Sequence, residues 1–235
     1  RETEAEPFRP VLTTNFKEGV SFATFTPDNK LVYAITNLGR DKSALVLMDP
    51  ATCEELEQLY TNDKYDLRGI WYSDAQKKLQ GVSYEGHKGV RRHFFDKATG
   101  EMFGRMEKHL RGYAIGIAGS NKAEDKYIVY AGGDRTMGAY YFYDVKSDTM
   151  TKLADLAPWI EEQQMAEMTP VTYTSRDGLE IEGYLTLPVG KTLHNAKNLP
   201  VVVNPHGGPW ARDSWGFNPE VQFLANRGYA ILQMN

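Results

Sequence analysis

Apolar and polar residues alternate in short runs over much of the chain, and clusters of turn-forming residues separate the runs. Phe22-Ala23-Thr24-Phe25 gives way to Thr26-Pro27-Asp28-Asn29-Lys30, then to Leu31-Val32-Tyr33-Ala34-Ile35. A polar turn over 37–42 leads to Ala44-Leu45-Val46-Leu47-Met48, which Asp49-Pro50-Ala51-Thr52 closes, and Leu56 to Tyr60 supplies a last run. Such runs with Pro, Asp, Asn and Gly between them predict a four-stranded antiparallel meander.

The order then returns twice. Gly69-Ile70-Trp71-Tyr72, Leu79-Gln80-Gly81-Val82-Ser83-Tyr84 and Arg92-His93-Phe94-Phe95 end on Asp96-Lys97-Ala98-Thr99-Gly100. Ala114-Ile115-Gly116-Ile117, Tyr127-Ile128-Val129-Tyr130 and Tyr140-Tyr141-Phe142-Tyr143 end on Asp144-Val145-Lys146-Ser147. The closing aspartates at 49, 96 and 144 stand 47 and 48 residues apart. Four short strands at that period are the signature of β-propeller blades, here about three of them over residues 1–157. Three blades do not close a ring, so the expectation is either an oligomer or a piece of a longer polypeptide, and the second is favoured. Residues 1–19 are polar and irregular, with a short strand expected near Val11-Leu12.

After Leu153 the pattern changes. Pro158 to Met165 predicts a short helix within a linker at 158–169, with Pro near its first turn. Val171-Thr172-Tyr173-Thr174 and Glu180 to Leu187 read as an antiparallel pair around Ser175-Arg176-Asp177-Gly178. Val201-Val202-Val203 predicts a short, buried, parallel-type strand. Pro219 to Arg227 predicts a helix with Val221, Leu224 and Ala225 on one face and Gly228 at its stop. Tyr229 to Met234 is a further strand. Strand, helix, strand begins a parallel α/β sheet over 170–235.

The chain of 235 residues is 41% hydrophobic and 25% charged, ordinary for a globular protein. A net charge of -4 gives no electrostatic footprint for nucleic acid. No apolar run reaches the roughly 18 residues of a membrane span. Cys53 is alone, so no internal disulfide forms. The opening Arg1-Glu2-Thr3-Glu4 carries no apolar leader, so any targeting segment is expected to have been removed or never present, and the compartment stays open.

The candidate chemistry sits in Asn204-Pro205-His206-Gly207-Gly208-Pro209-Trp210. Adjacent glycines allow φ > 0 and close approach to backbone N–H groups. Just past a strand's carboxyl end, such a turn can present donors where an oxygen gains negative charge. An ordinary strand-to-loop turn is the alternative.

His206-Gly207-Gly208-Pro209, followed by Arg212-Asp213, Trp215-Gly216-Phe217 and Leu224-Ala225-Asn226-Arg227-Gly228-Tyr229, resembles the prolyl oligopeptidase family of serine peptidases. The likeness is strongest to its acylaminoacyl-peptidase and dipeptidyl-peptidase-like branch. Ser175-Arg176-Asp177-Gly178 with Ile181-Glu182-Gly183-Tyr184 resembles that family's entry into its catalytic domain. The resemblance by motif covers about residues 168–235; over 20–157 it is architectural. It implies a β-propeller in front of an α/β-hydrolase domain, a Ser-Asp-His triad, an acyl-enzyme and a peptide substrate. It also implies that the Gly208 N–H is one oxyanion donor, in a turn shaped by His206, Gly207 and Pro209.

The sequence departs from the family in one respect. It contains no Gly-x-Ser-x-Gly; Gly81-Val82-Ser83-Tyr84-Glu85 has Glu in place of the second glycine. The triad normally follows the first strands and helix in the order Ser, Asp, His. None of its members is therefore expected here, and the chain by itself is expected to be inactive. His206 precedes any nucleophile and is read as a turn residue. His87, His93, His109 and His194 lack metal-ligand spacing, so neither metal nor cofactor is expected. Arg212 and Asp213 form either a local ion pair or a solvated surface pair. Glu85 and Glu101 are possible clamps for a substrate amine or plain surface charge. A propeller scaffold that binds peptides or proteins and an α/β-hydrolase esterase are the competing functions.

Overall fold

The computed structural model describes residues 4–208 and 210–235; Pro209 of the candidate turn lies outside the described residues. The chain divides into two units. The first holds the described residues up to Gly86 with Val90–Gly100, and the second holds His87–Gly89 with Glu101–Asn235.

In the first unit, β1 (Val20–Phe25), β2 (Val32–Thr36), β3 (Ala44–Met48) and β4 (Glu55–Thr61) form an antiparallel sheet in chain order. Val32 and Ala34 of β2 pack with Ala44, Val46, Met48 and Cys53 on one face. Leu45 points the other way, to Leu67 and Val82, as the period-2 pattern requires. Strands β5 (Leu67–Ser73), β6 (Lys78–Gly86) and β7 (Gly89–Phe94) make a second sheet of three strands. No strand forms at Val11-Leu12, and both side chains are exposed.

The second repeat departs from its expected fourth strand. From Lys97 the chain becomes α1 (Lys97–His109). Asp96 caps it, its carboxylate accepting the Thr99 amide at 2.9 Å. Met102, Phe103, Met106 and Leu110 are buried at helical spacing. The closing aspartates of the other repeats use the same side chain differently. Asp49 accepts from the Ala51 amide at 2.7 Å, and Asp144 from the Lys146 amide at 3.0 Å, each folding a turn back into a strand.

In the second unit, β8 (Ala114–Ser120), β9 (Lys126–Gly132), β10 (Ala139–Asp144) and β11 (Thr149–Asp155) form an antiparallel sheet in chain order. The helix expected over Pro158 to Met165 is a single 3-10 turn, Glu162–Gln164. No side chain caps its start, and Trp159 is 76% exposed, so the segment has no apolar face to bury as a helix.

A mixed sheet follows, built from β12 (Met168–Thr174), β13 (Glu180–Thr186), β14 (Val201–Val203) and, after α2 (Pro219–Ala225), β15 (Ala230–Met234). Its order is β12-β13-β15-β14, with β14 parallel to β15 and the other pairs antiparallel. Asn218 caps α2, accepting the Glu220 and Val221 amides at 3.0 and 3.1 Å, with Pro219 in the first turn. Val221, Ala225 and Leu224 pack on Val202 and Ile231, as the helix pattern predicts. The helix ends at Ala225, two residues short of the expected Arg227, with Asn226 as its cap, and Gly228 at φ +90° then turns the chain toward β15.

One expectation about this sheet fails. Val201 and Val203 are 60% and 53% exposed, so β14 is covered only on the Val202 side. It pairs with β15 alone and is an edge strand among the described residues. None of the described helices is long and apolar enough to cross a membrane.

Candidate active site

The parallel pair delivers the candidate turn. Ala230 N donates to the Pro200 carbonyl at 2.9 Å, and Asn204 N donates to the Leu232 carbonyl at 2.8 Å. The ladder therefore runs to the last residue before Pro205-His206. There the chain leaves the sheet. Gly208 takes φ +137°, where a side chain is strained, and a Cβ on it would stand 2.9 Å from the Trp210 amide. Gly207 has neither constraint. Of the two glycines, the backbone demands only Gly208.

His206 lies beside the turn, its Nδ1 donating to the Gly207 carbonyl at 2.7 Å. Because a carbonyl only accepts, Nδ1 carries the proton, and the ring is engaged in shaping the bend. Gly207 and Gly208 are exposed, and among the described residues the Gly208 amide meets no acceptor. Pro209 lies outside the described residues.

Downstream of the turn the loop is fastened at several points. Asp213 N donates to Asn235 Oδ1 at 2.6 Å, and Asn235 Nδ2 returns a bond to the Asp213 carbonyl at 3.2 Å. Trp215 Nε1 donates to the Met168 carbonyl at 2.9 Å. Arg212 makes no side-chain pair with Asp213. Its Nε reaches only the Asp213 carbonyl, at 3.4 Å, and its guanidinium faces Glu182 Oε2 at 4.0 Å. Asp213 Oδ2 is buried without a hydrogen-bond partner among the described residues.

A buried polar group links α2 to the segment before β12. Gln222 Nε2 donates to the carbonyls of Asp134 and Ala166, both at 2.8 Å, while Gln222 Oε1 accepts the Ala166 amide at 2.8 Å. Asp134 in turn accepts the Met168 amide at 2.8 Å. These partners were not legible in the sequence. One signal existed: Gln222 is a polar residue sandwiched between Val221 and the apolar stripe of α2.

The remaining candidates scatter. Ser83 lies within β6, and Glu85 is buried against Arg68, which takes up its charge. Glu101 is exposed on α1. His93 stacks on Tyr60 with ring centroids 4.4 Å apart. His109 contacts Asp148 at 3.2 Å, and His87 contacts Glu182 at 2.6 Å. His194 lines a cavity of about 490 Å³ with Arg135, Leu185, Leu187 and Lys191, which does not include residues 206–208. No group of three or more metal-ligating side chains stands together among the described residues.

Antiparallel sheets followed by a mixed sheet, with a glycine turn at the end of its parallel pair, define a β-rich chain that passes into an α/β unit. Comparison with known proteins makes the class specific. The chain is 32% identical over 239 residues to dipeptidyl aminopeptidase BIII of Pseudoxanthomonas mexicana, matching 97% of this chain and 32% of that protein. A prolyl endopeptidase structure covers 99% of the chain with a TM-score of 0.69 at 15% identity, the match taking 33% of its own length. A puromycin-hydrolyzing peptidase of Mycobacterium tuberculosis covers 97% with a TM-score of 0.66 at 16% identity, over 35% of its length. No protein-family model matches the chain. Over nearly its whole length the chain is thus similar to peptidases of the prolyl oligopeptidase family. It spans about a third of the length of the curated relatives it matches.

Proposed function

We propose that these 235 residues are the middle of a serine peptidase that cleaves short peptides through an acyl-enzyme, releasing amino-terminal residues or dipeptides. The sheets β1–β4, β5–β7 with α1, and β8–β11 are read as the last blades of a partial β-propeller over 1–157. Residues 158–169 are the linker, and β12–β15 with α2 open the α/β-hydrolase domain at 170–235. The nucleophile, acid and base lie in polypeptide outside these residues, in keeping with the missing Gly-x-Ser-x-Gly and the third-length match to relatives.

One observation carries the reading. Gly208 is exposed and among the described residues its amide meets no acceptor, at the carboxyl end of a parallel strand, in a backbone conformation that only glycine takes without strain. That is the position at which an amide stabilises a tetrahedral oxyanion, with a second amide supplied by the residue after the nucleophile. Losing one such donor costs about 10²–10³ in kcat.

The test is turnover of the full-length polypeptide on aminoacyl and dipeptidyl chromogenic substrates. Hydrolysis of peptide bonds is expected, and Gly208→Ala, which keeps the N–H but strains the φ +137° backbone that aims it, should lower kcat by up to the roughly 10²–10³-fold that losing a donor costs. Cleavage of simple esters with no cleavage of peptides would make the protein an esterase. Peptide binding without turnover would make it a scaffold.

A further inference from the structure

We propose that Glu182, in the middle of β13, is a positioning residue that holds the Gly208 turn against the sheet and ties it to His87. Its catalytic consequence rests on the peptidase reading; its geometry does not.

Both oxygens of the Glu182 carboxylate are engaged, and so is its backbone. His87 Nε2 stands 2.6 Å from Oε1, donating to the carboxylate. Arg212 Nη2 faces Oε2 at 4.0 Å. The Glu182 carbonyl accepts the Asn235 amide at 2.9 Å, and the Asn235 side chain clamps the Asp213 backbone on both its N–H and its carbonyl. Arg212 and Asp213 are consecutive and follow Gly208 closely. Glu182 thus reaches one of them by its side chain and the other by way of Asn235.

The local sequence makes this possible. A Cβ on Gly183 would overlap the Gln233 carbonyl and stand 3.3 Å from Met234 Cα. The bare glycine lets β13 and β15 close tightly, which brings the Glu182 carbonyl to the Asn235 amide at the end of β15. The Glu182 side chain is 19% exposed, and those of His87 and Arg212 are 37% and 35% exposed. The Glu182 carboxylate and the Arg212 guanidinium, so placed, are screened less than a fully solvated pair.

Such a brace answers a need of the turn itself. A glycine-rich bend has much conformational freedom to lose, and no atom stands within 4 Å of where a Gly207 Cβ would lie. An amide contributes to oxyanion stabilisation only if it is already aimed before reaction. Fastening residues 212 and 213 limits the turn from its far end, while the β14–β15 ladder limits it from the near end.

Amide hydrogen exchange on the 235-residue chain, comparing wild type with Glu182→Gln, reads the brace directly. The amides of Asp213 and Asn235, which donate to Asn235 Oδ1 and to the Glu182 carbonyl, should exchange about tenfold faster, as expected for losing the charged hydrogen bond that braces them. Amides of β8–β11 should be unaffected. His87→Gln and Arg212→Gln each remove one arm without touching β13, and should give smaller increases at the same amides. Unchanged exchange at Asp213 and Asn235 in all three variants overturns the proposal. In the full-length polypeptide, Glu182→Gln should lower kcat per active site, counted by fluorophosphonate titration, with KM within about twofold; the titration removes any loss of folded enzyme from the comparison. Faster exchange with unaltered kcat, while Gly208→Ala slows turnover, overturns the positioning role and leaves the peptidase reading standing. If Gly208→Ala is also without effect, the oxyanion reading falls and the positioning role falls with it.

Discussion

Gln222 Nε2 donates to the backbone carbonyl of Asp134, 88 residues earlier in the chain, at 2.8 Å. Both residues are nearly buried, at 6% and 8% exposed, so neither partner can turn to water instead. The same amide group serves Ala166 on both its carbonyl and its N–H. One side chain on α2 therefore satisfies three backbone groups.

Replacing that side chain by an apolar one of similar size leaves two carbonyls and one N–H buried and unpaired. At about 1–3 kcal/mol for each orphaned group, Gln222→Leu should lower unfolding stability by roughly 3 kcal/mol or more in urea titration. Gln222→Glu keeps the acceptor for Ala166 N but sets an oxygen against two carbonyls, so it should be no better. A loss under about 1 kcal/mol in both variants would contradict this account of the network.

Gly183 is set by space. Since a Cβ there would overlap the Gln233 carbonyl, Gly183→Ala must push β13 and β15 apart at their closest point. Overpacking of this kind costs about 1–3 kcal/mol, and denaturant titration should show it. The same exchange at Gly207, with nothing within 4 Å of its Cβ position, should change stability by less than about 0.5 kcal/mol.

Asp96 carries a pH dependence. Its hydrogen bond from Lys78 Nζ at 2.6 Å, together with those from the Thr99 amide and hydroxyl, lowers its carboxyl from 3.8 to about 2. A depressed carboxylate stabilises the fold in full above its ordinary value and loses that contribution as pH falls through its folded value. Asp96→Asn keeps an acceptor for the α1 cap but loses the charge. Wild type should be the more stable form at pH 6, with the difference shrinking between about pH 4 and pH 2. A difference that stays constant over that interval would show that Lys78 does not act through the charge.

Much of the chain was legible because its signals are local. Period-2 alternation and turn chemistry place β1–β4 and β8–β11, and Pro219 with the apolar face of Val221, Leu224 and Ala225 places α2. The helix α1 escaped because Asp96 matches Asp49 and Asp144 in sequence, while the spacing of Met102, Phe103, Met106 and Leu110 is what separates it. Apolarity announced β14 as a strand but not which face is covered, because that depends on elements far away in the chain. At the site, the turn and its demanding glycine were legible from His206-Gly207-Gly208. Its supports were not: Glu182 and His87 are 95 residues apart, and Asp213 and Asn235 are 22 apart. Nothing in composition or spacing links such pairs.

The central claim is that the Gly208 turn serves a nucleophile carried outside these 235 residues. Labelling the full-length polypeptide with a serine-directed fluorophosphonate, and locating the modified residue by mass spectrometry, tests it most directly. The account predicts one labelled serine beyond residue 235 and no labelling of the 235-residue chain alone. A label on Ser83 or any other serine within residues 1–235, or a full-length polypeptide that takes no label, would contradict it.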